Sequence, residues 1–212
     1  MLYGVITADI VRSKEIKDRD YFFEIFSKKI NYINKNFSYY IFAPLKIYRG
    51  DEFQGGIKKV IRIPEFLSVI RENFYPLQFR AGIGIGSIST NIKKDIGKID
   101  GEALRLSSQA LNIIKKERER ITYYKLPSEY RSLEEIINNF YTFLDLNVIN
   151  RTSKQWDAIR LYRDKKNLKK VAKKLNITFQ NVSKRLRAAH WSQYYQLENF
   201  LIKKLDECFS SK

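Results

Sequence analysis

Two acidic sites, 42 residues apart, constrain what this chain can fold into more than any other feature. Asp9 lies near the end of an apolar run, residues 6–11, while Asp51 and Glu52 follow Gly50 at a tight bend between two strand-like stretches. A carboxylate within an otherwise buried strand is costly unless a cation or a hydrogen-bond donor compensates it. Two such sites in one small domain suggest a divalent metal held by oxygen ligands, the usual companion of nucleotide phosphates.

The first 125 residues alternate between strand-like and helix-like patterns. Apolar periodicity, β-branched runs and turn residues predict strands over residues 2–11, 39–48, 53–63, 77–87 and 121–126, and helices over residues 20–37, 64–74 and 101–119. Gly50 and Asp51 form the turn of a β-hairpin. Because this hairpin coexists with βαβ crossovers, we expect a mixed sheet with helices packed on it. Three glycines in the fourth strand, Gly82, Gly84 and Gly86, would let another backbone or a ligand approach closely.

The remainder of the chain is predicted to be helical. The sequence Ser132-Leu133-Glu134-Glu135 matches a capping box and predicts a connecting helix that ends near residue 146. Four more helices follow over residues 155–162, 168–175, 178–189 and 191–209, with a turn at Asn176.

Charge is unevenly distributed along the chain. The net charge is +17, and residues 151–212 contribute +11 of it, with 16 basic and 5 acidic side chains. A dense positive field over a short segment favours a polyanionic partner, nucleic acid first. The alternative is a general enrichment in lysine, since isoleucine, asparagine and tyrosine are also abundant.

Other site classes are excluded by composition. His190 and Cys208 are the only histidine and cysteine, so zinc clusters and disulfide frameworks are not available. No apolar run approaches the ~20 residues that cross a bilayer, and the N-terminus lacks the pattern of a signal peptide. We therefore expect a cytoplasmic protein with no membrane partner.

The pattern of residues 171–186 resembles a helix-turn-helix. Ala172 is small where the second helix would cross, Asn176 tolerates a left-handed turn, and Ile177 would pin the second helix to its neighbours. The exposed face of the second helix could contact base edges, and the lysines of the first helix could contact phosphates. The predicted duplex-DNA contacts are Lys169, Lys170, Lys173, Lys174, Phe179, Gln180, Ser183, Lys184 and Arg187. The alternative is a helical bundle that uses the same fold to dimerise.

Four motifs in the first half carry a family resemblance. They are ITADIVRS at residues 6–13, GDEFQG at 50–55, RAGIGIGSIST at 80–90 and IGKIDGEA at 96–103. Asp9 before a helix and the Gly50-Asp51 hairpin resemble the palm of class III nucleotide cyclases and GGDEF domains. All four motifs in this order more closely resemble the SatD family, in which a C-terminal helix-turn-helix follows.

The resemblance to a palm implies roles for particular residues. Asp9 and Asp51 would bind Mg²⁺ or Mn²⁺ on adjacent strands, and Glu52 would be a further ligand or the catalytic base for a ribose hydroxyl. A nucleotide triphosphate would contact the following residues: Arg12, Ser13, Asp100, Arg105 and Gln109. The sequence also departs from the palm pattern, because Arg49 stands at the first glycine position of the GGDEF signature. The asparagine and aspartate that follow the first metal ligand in diguanylate cyclases are missing too, which argues against that activity.

Together these expectations describe an α/β (α+β) protein. A ferredoxin-like, nucleotide-cyclase palm with a mixed sheet would occupy residues 1–127, a connector helix 128–150, and a small all-α helix-turn-helix domain 151–212. The leading hypothesis is a regulator that binds DNA and, at the palm, a metal–nucleotide. The alternatives are a Mg²⁺-dependent cyclase or nucleotidyltransferase, and a DNA-binding protein whose palm only forms a homodimer.

Overall fold

The computed structural model describes residues 1–91, 95–117 and 120–209, which form a mixed α+β fold with a five-stranded sheet and eight α-helices. The strands are β1 (Tyr3–Ile10), β2 (Ile41–Arg49), β3 (Glu52–Ile57), β4 (Phe79–Gly86) and β5 (Thr122–Lys125). The helices are α1 (Arg19–Asn36), α2 (Ile63–Phe74), α3 (Glu102–Ile114), α4 (Arg131–Ile149), α5 (Ser153–Lys165), α6 (Leu168–Leu175), α7 (Phe179–Ala188) and α8 (Trp191–Phe209).

The sheet is mixed, as predicted from the hairpin and the crossovers. Its strand order is β2-β3-β1-β4-β5, and only the β4–β5 pair is parallel. The third strand is shorter than predicted, because the β-branched run at Val60–Arg62 forms a 3-10 turn that leads into α2. The helix predicted over 101–119 ends at Ile114, and its predicted end at 118–119 lies outside the described residues. The central strand is β1, which carries Asp9.

The two faces of the sheet differ in character. Side chains alternate along a strand, so Ile6, Ala8 and Ile10 of β1 share one face and are buried. Aromatic rings cover that face: Phe53 lies 5.3 Å from Phe74 between ring centroids, and similar contacts extend to the neighbouring helices. The opposite face carries Thr7 and Asp9, and α3 covers only part of it. This polar, partly open face holds the candidate site.

Gly82 and Gly84 allow α3 to lie directly on β4. A Cβ atom at Gly84 would lie well inside van der Waals contact with the carbonyl oxygen of Ala103 and the amide of Ser107, and one at Gly82 would meet the backbone of Leu111. The close approach predicted for this strand is therefore made by helix backbone. Beside α3, Thr7 and Asp9 of β1 are buried, whereas Glu52 and Gln54 of β3 remain partly exposed.

The C-terminal helices begin at side-chain caps. Thr152 and Gln155 form a capping box for α5, Asn167 accepts from the amide of Lys170 at the start of α6, and Thr178 caps α7. Asn176 adopts the left-handed conformation expected of it, with φ 52° and ψ 48°. These caps fix the starts of three successive helices, whose buried side chains belong to the same apolar cluster as those of the sheet.

The capping box predicted for α4 is wrong. Tyr130 is the N-cap and makes no side-chain cap bond, so Ser132 lies inside the helix. The glutamate of that pattern, Glu135, pairs with Arg131 at 3.3 Å. Its neighbour Glu134 contacts the strand: its Oε2 accepts from the amide of Leu126 at 2.7 Å and its Oε1 pairs with Lys125. Glu134 thus ties α4 to the end of β5.

A continuous apolar core joins the sheet to the C-terminal helices, reaching from Ile6 to Leu205. The division into units at 1–127, 128–150 and 151–212 stays a prediction. Among the described residues, no helix is both long and apolar enough to cross a membrane.

Candidate functional site

The polar face of the sheet brings two carboxylates together. Asp9 of β1 pairs in register with Glu52 of β3, and Arg80 of β4 lies opposite Asp9 on the other side. Lys115, just after α3, places its Nζ 2.6 Å from Glu52 Oε1 and 3.8 Å from Asp9 Oδ2. Arg80 Nη1 lies 3.4 Å from the same Asp9 oxygen. The acidic pair is therefore compensated by two basic side chains.

Asp9 is the most buried member of this cluster. Its residue exposure is 7%, and its Oδ1 has no hydrogen-bond donor within the described part of the chain. Burial raises the pKa of the Asp9 carboxyl, the positive charges of Lys115 and Arg80 oppose that rise, and the carboxylates of Asp51 and Glu52 add to it. A buried carboxylate with an unpartnered oxygen is a costly group, and such groups concentrate at functional sites.

Asp51 lies at the hairpin turn beside the end of β1, where its carbonyl oxygen accepts from the amide of Ile10 at 3.1 Å. The hydroxyl of Ser13 donates to Asp51 Oδ2. Arg12 has a left-handed backbone, with φ 56°, and an exposed side chain. The two predicted metal ligands thus lie near the ends of two adjacent strands, Asp9 in β1 and Asp51 in the turn before β3. Ser13 links the loop after β1 to Asp51.

A groove of about 560 Å³ lies on the open part of the same face. Three of the predicted residues line it: Glu52, Arg105 and Gln109. Tyr48 and Gln54 contribute the β2–β3 side, and the Gln54 amide donates to the Thr7 hydroxyl at 2.8 Å.

Asp100 takes part in a different contact. Its exposed carboxylate accepts from the amide of Gly101 at 2.7 Å and pairs with Arg105 at 3.4 Å. Asp100 does not line the groove, so its link to that site passes through Arg105.

The residues around Asp9 do not fit a metal site as they stand. Within residues 1–91, 95–117 and 120–209, no group of three or more His, Cys, Asp or Glu side chains could hold a metal ion. The ammonium group of Lys115 lies against Asp9 and Glu52, and Ser13 engages Asp51. Binding of Mg²⁺ or Mn²⁺ at Asp9 and Asp51 stays a prediction.

The C-terminal helices present a second candidate surface. Four lysines of α6 are exposed, and none of them forms an ion pair in the described residues: Lys169, Lys170, Lys173 and Lys174. On α7 the side chains of Phe179, Gln180, Lys184 and Arg187 are exposed, whereas Ser183 is half-buried. The predicted contact residues therefore lie on accessible surface of two successive helices.

A family comparison covers both surfaces. The SatD family model matches residues 3–203. The chain belongs to the SatD family. A comparison with curated proteins found no match. In this SatD protein, the family match includes the sheet, the polar face, helices α5 to α7 and the first part of α8.

The SatD chain also contains a buried charged network that the sequence did not reveal. Arg71 of α2 pairs with Asp145 of α4 at 3.1 Å, and both side chains are almost fully buried. Next to it, Glu72 pairs with Arg163 of α5 at 2.7 Å, and Arg163 pairs with Glu198 of α8 at 3.3 Å. The network joins α2, which packs on the sheet, to α4, α5 and α8.

Lys115 is the functional candidate that sequence reasoning missed. It is separated from Glu52 by 63 positions and belongs to none of the four motifs. One signal in the sequence could have indicated Lys115. It lies just after α3, the helix that follows the glycine-containing strand β4.

Proposed function

We propose that this SatD-family protein is a regulator that binds duplex DNA through α6 and α7. The observation that supports this most directly is the uncompensated positive surface of α6, in which Lys169, Lys170, Lys173 and Lys174 are exposed without ion-pair partners among the described residues. Neutralising DNA phosphates releases condensed counterions, and this supplies much of the affinity of such surfaces.

The connection between the two helices supports the same function. Asn176 turns the chain in a left-handed conformation, and Val171, Val182 and Leu186 are buried where the helices meet. That arrangement is typical of a helix-turn-helix, in which the second helix enters the major groove. Gln180 and Arg187 on the exposed face of α7 carry the amide and guanidinium groups that recognise adenine and guanine edges.

A salt series on duplex binding tests this proposal. We expect affinity for a random-sequence duplex to fall steeply with salt, and the replacement of Lys169, Lys170, Lys173 and Lys174 by Gln to reduce the slope of log K against log salt by about 3–4. Fluorescence anisotropy of labelled duplex measures both quantities.

The matched control replaces Lys14, Lys17, Lys58 and Lys59, four exposed lysines of the sheet half, and lowers the net charge equally. An equal effect of both quadruple variants would assign binding to net charge alone. No duplex binding at low salt would overturn the proposal.

A second candidate function is nucleotide binding on the polar face of the sheet. The groove that brings Glu52, Arg105 and Gln109 together favours it, because a base or ribose could contact the amide and a phosphate the guanidinium. This function would make the protein a nucleotide sensor. The resemblance to a palm would add Mg²⁺ or Mn²⁺ at Asp9 and Asp51, and such binding requires Lys115 and Ser13 to leave those carboxylates.

Turnover of the nucleotide, as in a cyclase or nucleotidyltransferase, is the less favoured alternative. A catalytic base must reach the proton that it abstracts and be free to accept it. Glu52 Oε1 already accepts from Lys115 at 2.6 Å. The carboxylate would have to leave that contact before it could act as a base, so sensing fits the arrangement better than synthesis.

Thermal denaturation with each nucleoside triphosphate, with and without Mg²⁺, tests the second candidate. A ligand present at 100 times its dissociation constant stabilises the folded state by about 2.7 kcal/mol. We expect the stabilisation to disappear in Arg105→Ala with Gln109→Ala and to persist in Arg131→Ala, an exposed arginine of α4. No shift with any nucleotide would exclude the sensor and leave a DNA-binding protein whose sheet half only forms a homodimer. Product analysis after long incubation distinguishes sensing from turnover.

A further inference from the structure

A larger groove, of about 680 Å³, lies where α5, α7 and α8 meet α2. None of the family motifs contributes to it. Three aromatic side chains line it, Tyr162, Trp191 and Tyr195. Its size is within the range of pockets that bind small molecules, about 300–1,000 Å³.

Positive charge predominates in this groove. Lys166 and Arg187 line it and have no ion-pair partner in the described residues, whereas Arg163 is held by Glu72 and Glu198. Glu65 is the acidic side chain of the lining, and Arg62 already pairs with it. The groove therefore presents two uncompensated cations, a charge complementary to an anionic ligand.

An aromatic surface is fixed beside these cations. Trp191 is buried, its ring lies under the guanidinium of Arg163 at 4.8 Å, and Tyr195 stacks on it with ring centroids 5.8 Å apart. Tyr195 itself is 41% exposed. A preorganised and partly exposed ring can stack on a planar ligand without a further loss of side-chain freedom.

We propose that this groove binds a small planar aromatic anion, such as a nucleoside monophosphate or an aromatic carboxylate. The ring stacks on Tyr195, and the anionic group pairs with Lys166 and Arg187. The exposed Arg187 and the half-buried Ser183 line this groove and are also among the predicted DNA contacts of α7. Occupancy therefore competes with DNA, a consequence that rests on the proposed DNA-binding function.

Calorimetric titration of the full chain without DNA tests the site itself. The probes are AMP, adenosine, inorganic phosphate and benzoate, and we expect AMP or benzoate to bind more tightly than the ring alone or phosphate alone. Replacing Tyr195 by Ala removes one stacking surface and should weaken binding about tenfold. Lys166→Gln should weaken the anionic probes and leave adenosine unchanged.

Matched variants give the controls. Tyr21→Ala removes an exposed tyrosine of α1, and Lys154→Gln removes an exposed lysine of α5 outside the groove; both should leave affinity unchanged. Absence of binding by AMP and by benzoate would overturn the proposal. Binding that is unchanged in both Tyr195→Ala and Lys166→Gln would also overturn it. Loss of AMP binding in the double variant Arg105→Ala with Gln109→Ala would show that AMP binds in the groove on the sheet instead.

Duplex binding is then measured with and without the tighter probe. We expect the probe to weaken DNA binding in the parent chain and to have little effect in Tyr195→Ala. A probe that binds without changing DNA affinity would overturn the competition. If the chain binds no DNA, the proposed regulator function fails. The calorimetric test of the groove remains valid in that case, because it is made without DNA.

Discussion

Asp9 of β1 and Glu52 of β3 are directly opposed in register, so two carboxylates share one face of the sheet. Like charges in directly opposed positions destabilise a strand pair. Lys115 compensates both, with its Nζ 2.6 Å from Glu52 and 3.8 Å from Asp9. A lysine just after α3 thus places one positive charge against both carboxylates.

Replacing Lys115 by Met should destabilise the protein. The change leaves Asp9 and Glu52 without their shared cation, and because Lys115 and Glu52 are each about one-third exposed, we expect a modest loss of about 1–2 kcal/mol. Urea denaturation at neutral pH measures it. The control is Lys116→Met, an exposed neighbour with no ion pair in the described residues; equal losses in the two variants would contradict the role given to Lys115.

Asp9→Asn should change how stability depends on pH. Burial raises the pKa of the Asp9 carboxyl in the folded protein above its ordinary value near 3.8. A raised pKa means that the folded state favours the protonated carboxyl, so the parent chain loses stability as pH rises from about 4 through the raised pKa. We therefore expect Asp9→Asn to gain melting temperature relative to the parent between pH 4 and pH 7.

Thermal denaturation across that range measures the difference, with Asp100→Asn, which removes an exposed carboxylate, as the control. If the difference in melting temperature between Asp9→Asn and the parent stayed constant from pH 4 to pH 7, the Asp9 carboxylate would not be destabilised by burial.

The strand and helix pattern was largely predictable because each signal is local. The hairpin at Gly50, the left-handed turn at Asn176 and the proline at the start of α2 require only neighbouring residues to be recognised. The capping box at Ser132 was wrong for a related reason. The helix already begins at Arg131, and the glutamate three positions after Ser132 is Glu135, which pairs with Arg131 one turn earlier.

The candidate sites were less predictable because their contacts are not local. Asp9, Asp51 and Glu52 could be identified as unusual carboxylates, yet their partner Lys115 is 63 positions beyond Glu52 and matches no motif. The groove at Trp191 and Tyr195 depends on how four helices pack together. Sequence patterns carry no information on that packing.

Gly84→Ala should separate α3 from β4. A methyl group there would collide with backbone atoms of Ala103 and Ser107, which cannot move without shifting the helix. We expect a loss of about 2–3 kcal/mol, typical of overpacking in a well-packed core. Gly97→Ala is the matched control, because its nearest neighbour would be 3.5 Å away. Similar stability of the two variants by urea denaturation would refute the close packing of α3.

Asp145→Ala should cause the largest loss of stability among these variants. Its carboxylate is fully buried, accepts from the amides of Ile121 and Thr122 at 2.9 Å and 2.7 Å, and pairs with the buried guanidinium of Arg71 at 3.1 Å. Removing one partner of a buried ion pair leaves the other charge uncompensated and typically costs about 3–5 kcal/mol. Glu135→Ala, at an exposed pair on the same helix, should cost less than about 1 kcal/mol.

A double variant separates the cost of an unpaired charge from the net contribution of the pair. Arg71→Met with Asp145→Leu replaces both partners by apolar side chains, and such replacements are often neutral or stabilising. We expect the double variant to recover part of the stability lost in Asp145→Ala, although the amides of Ile121 and Thr122 then lose their acceptor. Chemical denaturation of the single and double variants measures the difference. A double variant as unstable as Asp145→Ala would show that Asp145 acts through those amides, as an anchor between α4 and β5, more than through Arg71.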